Sequence, residues 1–400
     1  MGSNPTAHPF LPVLTNLHSF SNGPRVEALR EGDGQGNGAL LRLRFPSGMV
    51  VHAAAIPQDW PSPTGPTWVY AVELDGLTLI DAGALGSAEA VPSALRDLGL
   101  SPKAVRRIVV THGHPDHDGA AGTLSRLLDA ELWAHPLYAL LLPHDTWDFQ
   151  RRGNPLVRQG LKAFYGQDTP TRHRETAGHF LRHQRYQEAR RATVVSTTVG
   201  DGQHLAGMTF YHTPGHSPDE LSVLVDGVLF TGDHVLPQIT PHPTVLTAYT
   251  PEVCQQLPEI WRQAREQYGL ATYLRSLFRV LALGEWLVVL PAHRLMHRGR
   301  LNLLTTTRAQ EIVEHHIQRL RRILLLVDGG RRTVEEVTRA LFTPGQLAGG
   351  NVWPAITEVV AHLEFLEQAG DLQITPEGRL LATGSEGFVQ AVHRLASLGP

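Results

Sequence analysis

At 400 residues, with 42% apolar and 18% charged side chains, the composition is that of an ordinary globular protein of two or three domains and excludes a disordered or fibrous chain. A formal net charge of −3 excludes a strong pull of the whole chain toward nucleic acid or a membrane surface. The lone cysteine, Cys254, excludes an internal disulfide framework and a cysteine-built zinc site. No run of about 18 apolar residues occurs, and the N-terminus lacks the charged and apolar regions of a signal peptide, so a cytoplasmic protein is expected. Histidine is the unusual residue, at 22 copies, several of them beside Gly, Pro and Asp where turns form. Neutral imidazole is the commonest metal ligand.

Residues 1–38 are rich in Gly, Asn, Ser and Pro and are expected to form a flexible leader. From Ala39 short β-rich runs begin. Trp68 to Leu74 and Leu77 to Ile80 flank Asp75-Gly76, a hairpin signal. Ala88 to Leu98 reads as a helix, Arg107 to Val110 as a buried strand, Asp118 to Ala130 as a helix and Leu132 to His135 as a strand. That rhythm indicates α/β layering.

Residues 144–192 break the rhythm. They are helical in propensity and basic, with Arg151, Arg152, Arg158, Lys162, Arg172, Arg174, Arg182, Arg185, Arg190 and Arg191 outnumbering the acidic residues. The stretch reads as an insertion laid over the core. Strands resume at Met208 to Thr213, Leu221 to Val225 and Val228 to Thr231, the last two joined at Asp226-Gly227. Helical stretches run from Pro251 to Phe278, and an apolar strand, Trp286 to Leu290, closes a domain spanning 39–300.

A different module covers 301–400. Residues 308–327 form an amphipathic helix, Thr333 with Glu336 makes a capping box for a second, and 354–369 form a third. Leu372 to Ile374 and Leu380 to Ala382 pair around Thr375-Pro376-Glu377-Gly378. Three helices and a two-stranded ribbon describe a winged-helix domain.

The chemistry sits in Thr111-His112-Gly113-His114-Pro115-Asp116-His117, between a predicted strand and a predicted helix. Ligand sites in α/β folds gather at that end of a strand. Three histidines and a carboxylate packed this closely would desolvate or repel one another unless a cation compensated. Three further segments repeat the arrangement: Tyr211-His212-Thr213-Pro214-Gly215-His216, Phe230-Thr231-Gly232-Asp233-His234 and Leu290-Pro291-Ala292-His293 each follow an apolar strand.

This combination of motifs resembles the metallo-β-lactamase superfamily over residues from about 40 to 295. The resemblance implies an αβ/βα sandwich with a dinuclear site at one edge, carrying here a helical insertion and a C-terminal winged-helix domain. It implies that His112, His114 and His216 hold one metal, that Asp116, His117 and His293 hold the second, and that Asp233 bridges the two. Asp81 matches the family's early aspartate, a partner that orients a ligand histidine. His135, His212 and His234 match no ligand position and are expected to be structural. Imidazole and carboxylate donors suit zinc, while iron or manganese accepts the same set.

Two metals sharing a water give a bridging hydroxide near neutral pH, so the expected reaction is hydrolysis, with Asp116 also placed to carry a proton. No Ser-His-Asp arrangement or phosphate-binding loop competes. Within the superfamily, Gly232-Asp233-His234-Val235-Leu236-Pro237 and the C-terminal module, with its helix around His315 and Arg319, resemble the branch of hydroxyacylglutathione-hydrolase-like enzymes and β-lactamase-like endoribonucleases. The basic insertion would attract an acidic substrate. The C-terminal module, with nine arginines against eleven acidic residues, is not a basic nucleic-acid domain, so no DNA partner is expected. Ser217-Pro218-Asp219-Glu220 departs from the glyoxalase pattern, and the separate domain of nucleases that cut structured RNA is missing. The favoured substrate is a small thioester, ester or lactone, with single-stranded RNA as the alternative. A binding module with a vestigial metal site is the third reading. Classical β-lactamase action is not expected in the absence of a secretion signal.

Overall fold

The computed structural model describes residues 23–59, 62–146, 149, 153–166, 173–348 and 351–397, with side chains in the helix that begins at His173 described from Phe180 onward. Residues 1–22 of the expected leader, and Arg151, Arg152, Arg172 and the Arg174 side chain of the insertion, lie outside this set.

Two sheets face each other. The first runs in sequence order through β1 (Arg25–Arg30), β2 (Leu40–Arg44), β3 (Val50–Ile56), β4 (Thr67–Leu74), β5 (Gly76–Ile80), β6 (Val105–Val109), β7 (Glu131–Ala134) and β8 (Thr197–Thr198). It is antiparallel as far as β5 and parallel from β5 to β8. The second contains β9 (His204–Leu205), β10 (Met208–His212), β11 (Leu221–Val225), β12 (Val228–Phe230) and β13 (Val288–Leu290). A small hairpin of β14 (Met296–His297) and β15 (Arg300–Leu301) then precedes its edge strand, β16 (Leu304–Thr305). Only the β12–β13 pair of this sheet is parallel. Asp226 and Gly227 both take positive φ (45° and 79°), the turn that matches strand twist in a tight hairpin.

Side-chain alternation makes the layers. In β4, Trp68, Tyr70 and Val72 point between the sheets, while Val69 and Ala71 point to the outer face. From the second sheet Phe210, Val223, Phe230 and Leu290 meet them in the shared core. The outer face of the first sheet is covered by α1 (Ala90–Asp97) and, beyond the short α2 (Pro115–Asp118), by α3 (Ala121–Leu128). Next in the chain come α4 (Pro136–Leu141), α5 (Pro155–Tyr165), α6 (His173–Arg191) and α7 (Pro251–Gln256). On the second sheet, Leu229 and Val289 face outward onto α8 (Leu270–Ala282) and α9 (Thr307–Asp328). The order is helix, sheet, sheet, helix: the expected αβ/βα sandwich.

The C-terminal region contains α10 (Val334–Leu341), α11 (Val352–Ala369), the ribbon β17 (Leu372–Ile374) and β18 (Leu380–Ala382), and α12 (Phe388–Ser397). The capping box is formed, with Glu336 N–H donating to Thr333 Oγ1 (3.2 Å) and Thr333 N–H to Glu336 Oε2 (3.1 Å). This region does not stand apart. One apolar cluster joins Val157 of α5, Leu277 of α8, Ile312 and Leu320 of α9, Ile356 and Val360 of α11, and Phe388 of α12.

Two expectations need correction. Arg25–Arg30 lies within the expected leader, yet it forms β1, paired with β2 and fastened by Arg42–Glu27 (3.0 Å) and Arg30–Asp97 (2.9 Å). Its side chains are mostly exposed, so a backbone ladder and charges hold it, and the hydrophobic pattern is silent. The helical stretches expected from Pro251 to Phe278 are present as α7 and α8, separated where Pro258 and Gly269 (φ +93°) interrupt the chain. The strand expected from Trp286 starts at Val288, and Trp286 is exposed.

A buried carboxylate ties α5, the 246 loop and α11 together. Glu364 accepts from Leu246 N–H (2.8 Å) and from the amide of Asn154, the residue that caps α5. Burial pushes its pKa up to about 8. Between the ordinary glutamate value and about 8 the folded chain keeps a proton that the unfolded chain has released, so this group lowers stability as pH rises through that window. Glu364→Gln is therefore expected to gain in Tm relative to wild type between pH 5 and pH 8.5, by roughly a few degrees. Parallel Tm–pH curves for the two proteins would contradict it.

Candidate metal centre

The edge where β5, β6, β10, β12 and β13 end gathers the chemistry. Beyond β6 the chain passes through Thr111–His114, and Pro115 starts α2 at its first helical position, which puts Asp116 and His117 in one turn. The loops after β10, β12 and β13 bring in His216, Asp233 and His293. All seven expected ligand residues come together. The donor atoms fall into groups of three, each within 4.8 Å: His112, His114 and His216; Asp116, His117 and His293; and His112, His117 and Asp233.

The contacts inside the groups are specific. His114 Nδ1 lies 3.0 Å from His112 Nε2 and 3.2 Å from His216 Nε2. His293 Nε2 and His117 Nε2 lie 3.2 Å and 3.7 Å from Asp116 Oδ2. Asp233 stands between the groups. Its Oδ1 is 3.5 Å from His117 Nε2 and 3.4 Å from His293 Nε2, while its Oδ2 is 3.6 Å from His216 Nε2.

The other nitrogen of each of four rings is engaged elsewhere. His117 Nδ1 meets Asp81 Oδ2 (2.9 Å), His293 Nδ1 the Pro66 carbonyl (2.9 Å), His216 Nδ1 the His242 carbonyl (3.1 Å), and His112 Nδ1 the Thr111 hydroxyl (3.1 Å). A carbonyl or carboxylate on one side of an imidazole makes that nitrogen the donor and turns the lone pair of the other toward the centre. Asp81 is itself fixed, accepting from Thr111 N–H (2.8 Å) and Thr111 Oγ1 (2.9 Å). Its φ of +64° lies in the left-handed region that aspartate tolerates better than most side chains.

The electrostatics of the three-histidine group fit a cation. Burial and the neighbouring imidazoles hold His112 and His114 well below the ordinary histidine range, and burial also lowers His216, which keeps these rings neutral. Burial would raise Asp116, but His117 and His293 outweigh it and hold the carboxyl at about 2. Asp233 is likewise held well below its usual range, against burial, by His293 and His117. Among the described residues, His117 Nε2 and Asp233 Oδ1 are buried polar atoms with no hydrogen-bond partner. Such atoms are costly unless something pairs with them. An ion between them would do so, and the N and O donors suit a divalent metal.

The three remaining strand-end histidines take other places. His135 caps α4, accepting from Leu137 N–H (3.2 Å), and stacks on His212 at 4.0 Å. His212 Nε2 meets the Pro218 carbonyl (2.8 Å), and His234 rests edge-on against Tyr273. None of the three belongs to a donor group among the described residues. In the insertion, Arg158, Lys162, Arg182, Arg185 and Arg191 are exposed, but Arg190 is buried.

Residues that motif reading missed surround the donors. Gln58 Nε2 donates to Asp116 Oδ2 (3.0 Å). Glu220, fully buried, accepts from Asp233 N–H (3.0 Å), and burial together with Asp233 holds its carboxyl well above the ordinary range. Asp219 accepts from Gly113 N–H (2.9 Å). The unusual run Ser217-Pro218-Asp219-Glu220 was the available signal for the last two.

Residues 63–293 match the family described as the Metallo-beta-lactamase superfamily. A curated relative, the uncharacterized protein YobT of Bacillus subtilis (strain 168), is 27% identical over 172 residues, covering 42% of this chain and 61% of the relative's own length. Among solved structures, a metallo-beta-lactamase family protein from Thermus thermophilus aligns at a TM-score of 0.58 with 25% identity, covering 83% of this chain and 98% of that one. A beta-lactamase domain protein from Burkholderia ambifaria aligns at a TM-score of 0.59 with 23% identity, covering 83% and 92%. Among the described residues no helix is long and apolar enough to cross a membrane.

Proposed function

This chain belongs to the metallo-β-lactamase superfamily, and we propose that within it the chain is a dinuclear metal-dependent hydrolase of a small thioester, ester or lactone. The observation that carries the reading is the position of Asp233, whose two carboxylate oxygens face two separate sets of donors. In this reading His112, His114 and His216 would hold one ion, Asp116, His117 and His293 would hold the other, and Asp233 would contribute to both. Zinc is the favoured ion, and iron or manganese suits the same donors. Two bound divalent ions would lower the pKa of a shared water toward about 7 and polarise the substrate carbonyl.

The chain's own groups do the remaining work. Asp81, Pro66, His242 and Thr111 set the ring orientations, so the donors are arranged before an ion or substrate arrives. Asp116 keeps part of its side chain open, and Gln58 fixes its Oδ2. In this reading Asp116 would take a proton from the attacking water and return it to the leaving group.

We read 301–400 as winged-helix-like and 39–300 as the catalytic unit. The apolar cluster that α9 and α11 share with α8 supports a C-terminal region packed on the core rather than held out for nucleic acid. The exposed cations of the insertion favour a second reading, cleavage of single-stranded RNA.

His114→Ala and Asp116→Ala are each expected to abolish hydrolysis and to lower bound metal in elemental analysis. Full metal content and turnover in both would sink the dinuclear reading. A panel of thioesters, lactones, phosphodiesters and short RNA, run on zinc, manganese and iron forms, chooses the substrate. Chelator-sensitive turnover of RNA above that of acyl compounds would reverse the preference.

A further inference from the structure

The first donor loop is gripped from behind by groups outside both metal sets. Gly113, between His112 and His114, donates its N–H to Asp219 Oδ2 (2.9 Å), and its carbonyl accepts from the Tyr186 hydroxyl (3.1 Å). The other oxygen of Asp219 accepts from the hydroxyl of Ser217, the residue after His216. One buried carboxylate thus ties the His112–His114 segment to the His216 segment. Those are the segments that supply the three-histidine group.

Arg190 completes the grip. It comes from the last turn of the insertion helix α6 and turns inward, to 2% exposure. Its Nε lies 3.3 Å from Asp118 Oδ2, and its Nη1 donates to the His144 carbonyl (3.2 Å). The guanidinium packs near the rings of Tyr138 and Tyr186. A β-carbon on Gly113 would lie 3.0 Å from Arg190 Nη2, 3.1 Å from Asp219 Oδ2 and 3.3 Å from Tyr138 Cδ2. The guanidinium and the carboxylate therefore stand close behind the loop, and a side chain at position 113 would require them to give way by a few tenths of an ångström. Arg190 is also the cation facing both Asp118 and Asp219, and a buried carboxylate that loses its cation is strongly destabilised.

We propose that Arg190, acting through Asp219 and Tyr186, is the positioning residue of the three-histidine group, so that the insertion helix sets the spacing of His112, His114 and His216. The inference rests on the reading of that group as a metal site. It gives the insertion a second role besides any attraction of substrate: among the described residues its exposed arginines face solvent, while the buried Arg190 acts on the ligands.

The test is metal release from the full chain loaded with cobalt(II), titrated with a chromophoric chelator and followed in the cobalt absorption bands. His216→Ala and His293→Ala serve as references that identify the release step and the band of each group. Arg190→Met and Tyr186→Phe are expected to weaken the step that His216→Ala removes by about tenfold to a hundredfold, and to leave the other step unchanged. Arg190→Lys, which keeps the charge but not the fork, is expected to fall between. If Arg190→Met does not fold, Tyr186→Phe still decides, because it removes one hydroxyl and no charge. Wild-type release of both metals from the variants, or equal weakening of both steps, would overturn the proposal even with a lowered Tm, and would leave Arg190 as an ordinary buried ion pair. A wild-type chain that binds no cobalt fails before any variant is compared, and that result refutes the metal reading itself.

Discussion

On the dinuclear reading, Asp233→Ala is expected to lower the bound metal by at least one ion per chain and turnover by about a thousandfold, the rate equivalent of roughly 4 kcal/mol. The carboxylate is the only described group with one oxygen toward His117 and His293 and the other toward His216. Removing it takes a negative charge from between the two donor groups and leaves them without a shared carboxylate. The backbone has an independent anchor, since Asp233 N–H donates to Glu220, so the alanine variant is expected to fold with its loop in place. Elemental analysis and turnover measured on the same sample check the result. Two metals per chain with wild-type turnover would remove Asp233 from the bridge.

Gly215→Ala is expected to be strongly damaging for a single added methyl, lowering stability by about 3 kcal/mol or more. Gly215 has a φ of +134°, and a β-carbon there would lie 2.4 Å from Tyr273 Cα and 2.7 Å from Tyr273 N. These are backbone atoms of α8, so no rotamer change relieves the clash. The loop cannot retreat freely either, because the Gly215 carbonyl accepts from both Thr244 N–H (2.7 Å) and Thr244 Oγ1 (2.9 Å). Displacement would carry His216 with it. Gly227→Ala is the matched control: its φ is +79° with nothing within 4 Å, and a cost of about 1 kcal/mol is expected. Denaturant unfolding of the two variants compares them directly, and equal midpoints would show that the loop yields.

The meeting of the seven expected ligand residues was legible because they lie in loops that follow strand ends, and an apolar strand followed by His or Asp can be read locally. The layers were legible for a related reason, as the alternation in β4 and the turns at Asp75-Gly76 and Asp226-Gly227 are short-range signals. What stayed hidden depends on long-range meetings. Gly113 joins Tyr186 and Asp219 across 73 and 106 residues, and nothing near Arg190 distinguishes it from Arg191, which faces solvent. Charge composition described the insertion correctly as basic, but it carries no information about which arginine turns inward. β1 was missed because its side chains are mostly exposed and its fastening is a ladder to β2.

The apolar cluster shared by α5, α8, α9, α11 and α12 bears on how the chain is made. During synthesis the strands that end in His216, Asp233 and His293 emerge before α9, yet Leu229 and Val289 on their outer face have no complete cover until the residues after 307 have left the ribosome. The first sheet, with α1 and α3 against it, can settle early; the second must wait. On the metal-site reading, His216, Asp233 and His293 are therefore held beside the His112–His117 loop only once α9 has covered the second sheet, so completion of the site follows the residues after 307.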